Sequence, residues 1–192
     1  MCDTSRIYHY EFHHPQQNLS RNGSLSDSQE SVFAAHFIKS YRNQFAQIHS
    51  RTDRKETLFI REVPVAGNGI ADLMVLNWSA DYNSLLDSSI NLSSVNPTLR
   101  AFEFKLSNWR SGMMQAHRYR YFSHASILVL PKEKLRTVKT KLELFKTINV
   151  GLWCFEPTTG IITRLYTPRP KKQLIPKYAE RALKLISQSI QS

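Results

Sequence analysis

A single α/β domain follows from three features of the sequence. A helix-periodic stretch near the N-terminus precedes three strand-like runs, and a second helical stretch separates the third run from the continuous apolar segment Ala125 to Pro131. The chain has 192 residues, 41% of them hydrophobic, enough for one well-filled core. The expected order is helix, three strands, helix, strand, followed by a C-terminal extension of helix, β-hairpin and helix.

Residues 1–26 read as a polar arm, rich in His, Gln, Asn and Ser, with residues 27–192 forming the domain proper. His9, His13 and His14 suggest a metal site if that stretch is helical, since residues four apart share a helix face. Pro15 and the lack of helical periodicity favour a solvated arm or a short edge strand instead. Ser26 or Asp27 is then the expected cap of the first helix, whose periodicity is carried by Val32, Phe33, Ala35, Ile38 and Phe45. Glu30 falls in its first turn, where a carboxylate complements the helix dipole.

Thr57 to Val65 reads as a strand, with Pro64 tolerable at an edge or bulge. Gly67-Asn68-Gly69 supplies residues that accept positive φ, turning the chain into a second strand from Gly69 to Leu76. That strand is apolar apart from Asp72. A Ser- and Asn-rich insertion at about 77–98 follows, either a functional flap or an excursion without structure of its own.

The third strand contains Phe102, Glu103, Phe104, Lys105 and Leu106. Alternate side chains of a strand share a face, so Glu103 and Lys105 point one way and the apolar residues the other. A carboxylate and an ammonium on a half-buried strand are costly unless they are paired, metal-bound or facing a wet cleft. Ser107 and Asn108 are good N-caps for the next helix, on which Trp109, Met113, Ala116 and Tyr119 or Arg120 recur at helical spacing and Gln115 lies about two turns in. Beyond the buried strand at 125–131, a Lys-rich helix is expected from Lys134 to about Thr147, then a hairpin around Pro157-Thr-Thr-Gly160 and a terminal helix from about Lys177 to Gln188.

Charge narrows the function. Twenty-six Lys and Arg against fifteen Asp and Glu give +11, and thirteen of those cations lie beyond Pro131 with only four acids among them. Such a balance favours a polyanionic partner, nucleic acid first, although anionic membranes attract the same surface. No apolar run reaches the roughly 18 residues a membrane span requires, and the N-terminus lacks the apolar core of a secretory signal. A soluble, intracellular, cytoplasmic protein is the expectation. The two cysteines, Cys2 and Cys154, are too few for a disulfide framework or a cysteine zinc site, and Cys154 reads as a small core residue.

An Asp on one strand, Glu-x-Lys on the next, and a following helix with an inward Gln resembles the PD-(D/E)XK phosphodiesterase superfamily over roughly Glu30 to Leu130. The chain departs from the name motif in having Ala71 where Pro precedes the Asp. The resemblance implies a restriction-endonuclease-like core, a mixed central β-sheet flanked by helices, and a metal-dependent nuclease, with DNA the expected substrate because most of the superfamily acts on it. Asp72 and Glu103 would hold Mg²⁺, with Mn²⁺ as a substitute, helped by the Phe104 carbonyl between the two side chains and by Glu30 as a further candidate. Lys105 would orient the attacking water and stabilise developing charge, with Gln115 fixing that geometry. Trp109, Arg110, Arg118 and Arg120, with the basic C-terminal half, would contact phosphates. Small basic nucleases of this kind often work as a homodimer or with a partner protein. Two other readings stay open: a non-catalytic nucleic-acid-binding or scaffold subunit on the same fold, and a basic module in which Glu103 and Lys105 merely pair.

Overall fold

Among the described residues seven strands line up in chain order in one mixed sheet. β1 (Arg6–Glu11) runs parallel to β2 (Lys55–Val65), and β2, β3 (Gly69–Ser79) and β4 (Thr98–Phe104) alternate in direction. β5 (Ala125–Pro131) and β6 (Gly151–Glu156) lie parallel to β4, and β7 (Ile161–Tyr166) returns antiparallel. The helices are α1 (Leu25–His49), α2 (Trp109–Tyr119), α3 (Leu135–Lys139), α4 (Leu142–Thr147) and α5 (Pro176–Gln191). The computed structural model describes residues 6–11, 25–49, 55–65, 67, 69–79 and 92–191.

The pleat of β4 divides the core. Leu99 and Ala101 join the apolar cluster that contains Ala179, Leu183 and Ile186 of α5, while Phe102 and Phe104 join the one that contains Phe33, Phe37 and Tyr41 of α1. A third cluster sets Trp109, Met113 and Ala116 of α2 beside Leu128, Leu152 and Phe145. Phe37 is the centre of the α1 contact: its ring lies 5.2 to 6.3 Å from those of Tyr41, Phe102, Phe104, Trp153 and Phe155. Burying an aromatic ring stabilises by about 1.5–3 kcal/mol, so this cluster fixes α1 firmly against the end of β4. Glu30 stands two turns earlier on the same stripe.

Most expected elements occur at the expected places. Asn108 caps α2, its side chain accepting from the Ser111 N–H at 3.2 Å. The β2–β3 turn uses Gly67 and Gly69 at φ 81° and 89°, conformations that L side chains resist. Pro64 lies beyond Arg61, the last β2 residue paired with the described part of β1, so its missing N–H opens no gap in that ladder. Within the expected polar arm, residues 6–11 form an edge strand, and the Tyr10 hydroxyl donates to the Ser189 carbonyl of α5. His9 is exposed on that strand rather than on a helix, and His13 and His14 lie outside the described residues. So do residues 80–91 of the expected insertion. Cys154 is buried in β6, and burial pushes its thiol up to about 11.

Two expectations are corrected. The Lys-rich helix is broken into a 3₁₀ turn at Lys132–Lys134 and the short helices α3 and α4. Thr137, Val138 and Thr140 are poor helix formers, and the Thr140 hydroxyl donates to the Thr137 carbonyl at 2.8 Å, a local bond that competes with the helix ladder. The first helix already runs from Leu25, which puts Ser26 and Asp27 inside its first turn and Glu30 beyond it. The dipole therefore does not account for Glu30. Among the described residues no helix is long and apolar enough to cross a membrane.

Candidate functional site: a carboxylate cleft where two strands part

β3 and β4 pair from Asn77↔Thr98 to Leu73↔Phe102, and the same register continued by one would set Asp72 opposite Glu103. The ladder stops there. Like charges on directly opposite residues repel, and the Phe104 N–H donates instead to Asp72 Oδ2 at 2.7 Å. The parting strands leave a cleft of about 470 Å³ between α1, the β2–β3 hairpin and α2. Its lining includes Glu30, Asp72, Glu103, Phe104, Lys105 and Gln115. The candidate catalytic and metal-ligating residues read from the sequence are thus brought to one place.

Each side chain is held by a different element. Glu103 is 1% exposed; its Oε1 lies 3.1 Å from Lys105 Nζ, and its Oε2 lies 2.5 Å from the Tyr119 hydroxyl of α2. That hydroxyl is also 2.6 Å from the Ile70 carbonyl, so its single proton serves one acceptor at a time. Lys105 Nζ reaches Glu30 Oε2 at 3.2 Å, while Glu30 Oε1 accepts the Leu106 N–H at 3.1 Å. The ammonium therefore sits between a carboxylate of the sheet and one of α1. Gly112 lets α2 approach this closely: a Cβ there would fall 2.7 Å from Lys105 Cγ and 2.6 Å from Leu128 Cδ1. Gln115 Oε1 is buried without a hydrogen-bond partner among the described residues.

The electrostatics follow from burial and crowding. Asp72 is pushed up to about 7, first by loss of solvent and then by repulsion from Glu103, against the opposing pull of the Phe104 N–H and Lys105. Burial likewise raises Glu103, with Lys105 and Tyr119 opposing. Burial works against the charge on Lys105, but Glu103, Glu30 and Asp72 together outweigh it and raise its pKa. Lys105 is a fixed cation, not a base. Tyr119 is raised by burial and by the two carboxylates, so its hydroxyl only donates.

Among the described residues no group of three or more His, Cys, Asp or Glu is gathered as a set of metal ligands. The donors at the cleft still fit a hard divalent cation. Glu103 is a buried acid and Asp72 a half-buried one, loss of solvent disfavours both as anions, and their carboxylate oxygens are ligands of the kind Mg²⁺ takes.

The four residues expected at phosphates do not line the cleft. Trp109 is buried, its ring 6.3 Å from that of Phe145, and Arg120 is half-buried, Nη1 donating to the Ile148 carbonyl at 2.8 Å. Arg110 and Arg118 are exposed, the Arg110 guanidinium lying 4.6 Å over the Trp109 ring. Sequence reasoning passed over Tyr119, Gly112, Arg61 and Ser31. The first two had a signal: Gly112, Gln115 and Tyr119 stand at i, i+3 and i+7, one face of α2. Compared with protein-family models and with curated proteins, the chain finds no match in either.

Proposed function

We propose that the protein is a metal-dependent phosphodiesterase on a restriction-endonuclease-like core, hydrolysing DNA. The observation that carries the reading is the meeting of Asp72, Glu103, Lys105 and Gln115 at one cleft, drawn from two strands and the helix that follows. Asp72, Glu103 and the Phe104 carbonyl are the groups that would hold Mg²⁺, with Glu30 nearby. The cation, when bound, supplies charge to polarise a phosphoryl oxygen and to make bound water a better nucleophile.

The chain's own residues do the rest. Lys105, kept protonated by Glu103 and Glu30, has one N–H left beyond those two contacts to donate to the attacking water, and its charge stabilises the phosphate oxygens where negative charge develops. Glu30 also takes the Leu106 N–H, which ties the ammonium's partner to the backbone at the end of β4. Tyr119 holds one oxygen of Glu103 and leaves the other toward Lys105. Gln115 offers its unpaired carbonyl to a proton of the water.

The closed Glu30–Lys105–Glu103 ion network also suits a second reading, a nucleic-acid-binding or scaffold subunit that never cuts. Cleavage and binding by variants separate the two. Asp72→Ala and Glu103→Ala are expected to abolish cation-dependent cleavage with duplex affinity within about threefold, since binding is spread over many phosphates. Lys105→Arg should lose at least about a hundredfold, a planar guanidinium on a longer stem being unable to replace a compact ammonium. Parallel loss of cutting and binding by folded variants would favour the binding subunit.

A further inference from the structure

Residues 167–175, which join β7 to α5, are turned inside out. The half-buried Gln173 faces the protein, its side-chain nitrogen 3.1 Å from His124 Nε2, while the neighbouring Leu174 and Ile175 are 50% and 38% exposed. Three backbone bonds pin the segment this way round. The Lys171, Leu174 and Ile175 N–H groups donate to the carbonyls of His124, Arg120 and Tyr121 at 2.9 to 3.1 Å. A polar side chain turned inward beside apolar ones turned outward reverses ordinary burial, and it leaves an apolar tip held out to solvent on a fixed backbone.

Charge says what the tip meets. No acid lies between Glu156 and Glu180, but Arg164, Arg169, Lys171, Lys172 and Lys177 do. The last four are exposed, and among the described residues none of them forms an ion pair. Unneutralised cations on both sides of two apolar side chains suit a polyanion with an apolar interior, which is a nucleic-acid duplex. The tip also lies on a path from the cleft. Arg110, Met114 and Arg118 stand at i, i+4 and i+8 on the exposed side of α2, running from the helix start beyond Lys105 to the turn that holds the segment. The eleven residues of α2 at about 1.5 Å each make about 16 Å, or about five base-pair steps of about 3.4 Å. An anionic membrane matches the same charges but gives no role to the acid-lined cleft at the other end of that path.

We infer that Leu174 and Ile175 form a wedge that enters the DNA minor groove about five base pairs from the scissile phosphate and bends the duplex; the inference rests on the DNA substrate of the proposed function. Apolar side chains pushed between base steps unstack them and kink the duplex by about 20–90° toward the major groove. The flanking cations hold the phosphates on either side of the kink.

The test uses the full chain in chelator, so that nothing is cut, with a duplex of about 30 base pairs carrying a fluorophore at each end. Energy transfer reads the bend, and titration over a range of salt reads the affinity. Wild type is expected to raise transfer on binding. Leu174→Ser/Ile175→Ser should bind with an unchanged salt slope, at an affinity within about tenfold of wild type, and leave transfer at its free-duplex value. Lys171→Ala/Lys172→Ala should lower the salt slope by about two and keep the bend. All four positions are exposed, so melting temperatures should stay within about 2 °C of wild type. A wild-type complex without a rise in transfer, or a Ser variant that bends the duplex as wild type does, would overturn the wedge. So would a loss by the Ser variant confined to binding of phosphatidylserine vesicles, which would assign the tip to a lipid surface. Plasmid cleavage by wild type in Mg²⁺ keeps the two readings apart: bending without cutting upholds the wedge and ends the nuclease, and cutting without bending does the reverse. Failure to bind the duplex in either chelator or Mg²⁺ would overturn both.

Discussion

At the scale of single residues, the site is defined by acids placed where their charge is unwelcome. Asp72 is raised from 3.8 to about 7, so the fold prefers its neutral form. A carboxyl whose folded pKa exceeds its unfolded value contributes stability that is complete below about pH 4 and is lost as pH rises through about 7. The cation-free protein is therefore expected to lose melting temperature steadily between pH 5 and pH 7, at up to about 1.4 kcal/mol per pH unit for this one proton. Asp72→Asn removes the titration, and its melting curve in chelator should be flatter over this range and higher than wild type at pH 8. Thermal melts followed by circular dichroism measure this directly. A wild-type melting temperature that climbs from pH 5 to pH 8 in chelator would show that Asp72 is not held as described.

At the scale of elements, α2 sets the geometry of the site. Its cap at Asn108 begins the helix four residues beyond the end of β4 at Phe104, and its face of Gly112, Gln115 and Tyr119 packs over Lys105 and Glu103. Gly112→Ala would put a methyl carbon well inside contact distance of the Lys105 and Leu128 side chains. Leu128 can shift its terminal methyl, but Lys105 can give way only by moving its stem, and the ammonium with it. Displacement by about 1 Å can cost on the order of a hundredfold in rate. Gly112→Ala is expected to lower kcat at least about tenfold, with KM and duplex affinity within about twofold and a melting temperature only a few degrees lower. A kcat equal to wild type in the folded variant would remove α2 from the positioning of Lys105.

At the scale of the molecule, an acid-lined cleft is carried by a strongly basic chain. The net charge of +11 draws a polyanion toward the surface, while the cleft keeps oxygen donors for a cation. Much of this was legible beforehand, because periodicity and turn chemistry are local: the Gly67 and Gly69 turn, the Asn108 cap, the Glu103–Lys105 alternation and the buried run of β5 depend on near neighbours. Contacts set by packing were not legible. The approach of α1 to β2 that brings the Ser31 hydroxyl to the Arg61 guanidinium is one of them. Arg120 reads as a free surface cation in the sequence but is tied to Ile148 by the turn after α4. The most direct test of the central claim is incubation of purified protein with supercoiled plasmid in Mg²⁺ or Mn²⁺, with and without chelator. Nicked or linear plasmid with the cation and intact plasmid in chelator is the expected result; intact plasmid with either cation, from folded protein that binds the DNA, would contradict it.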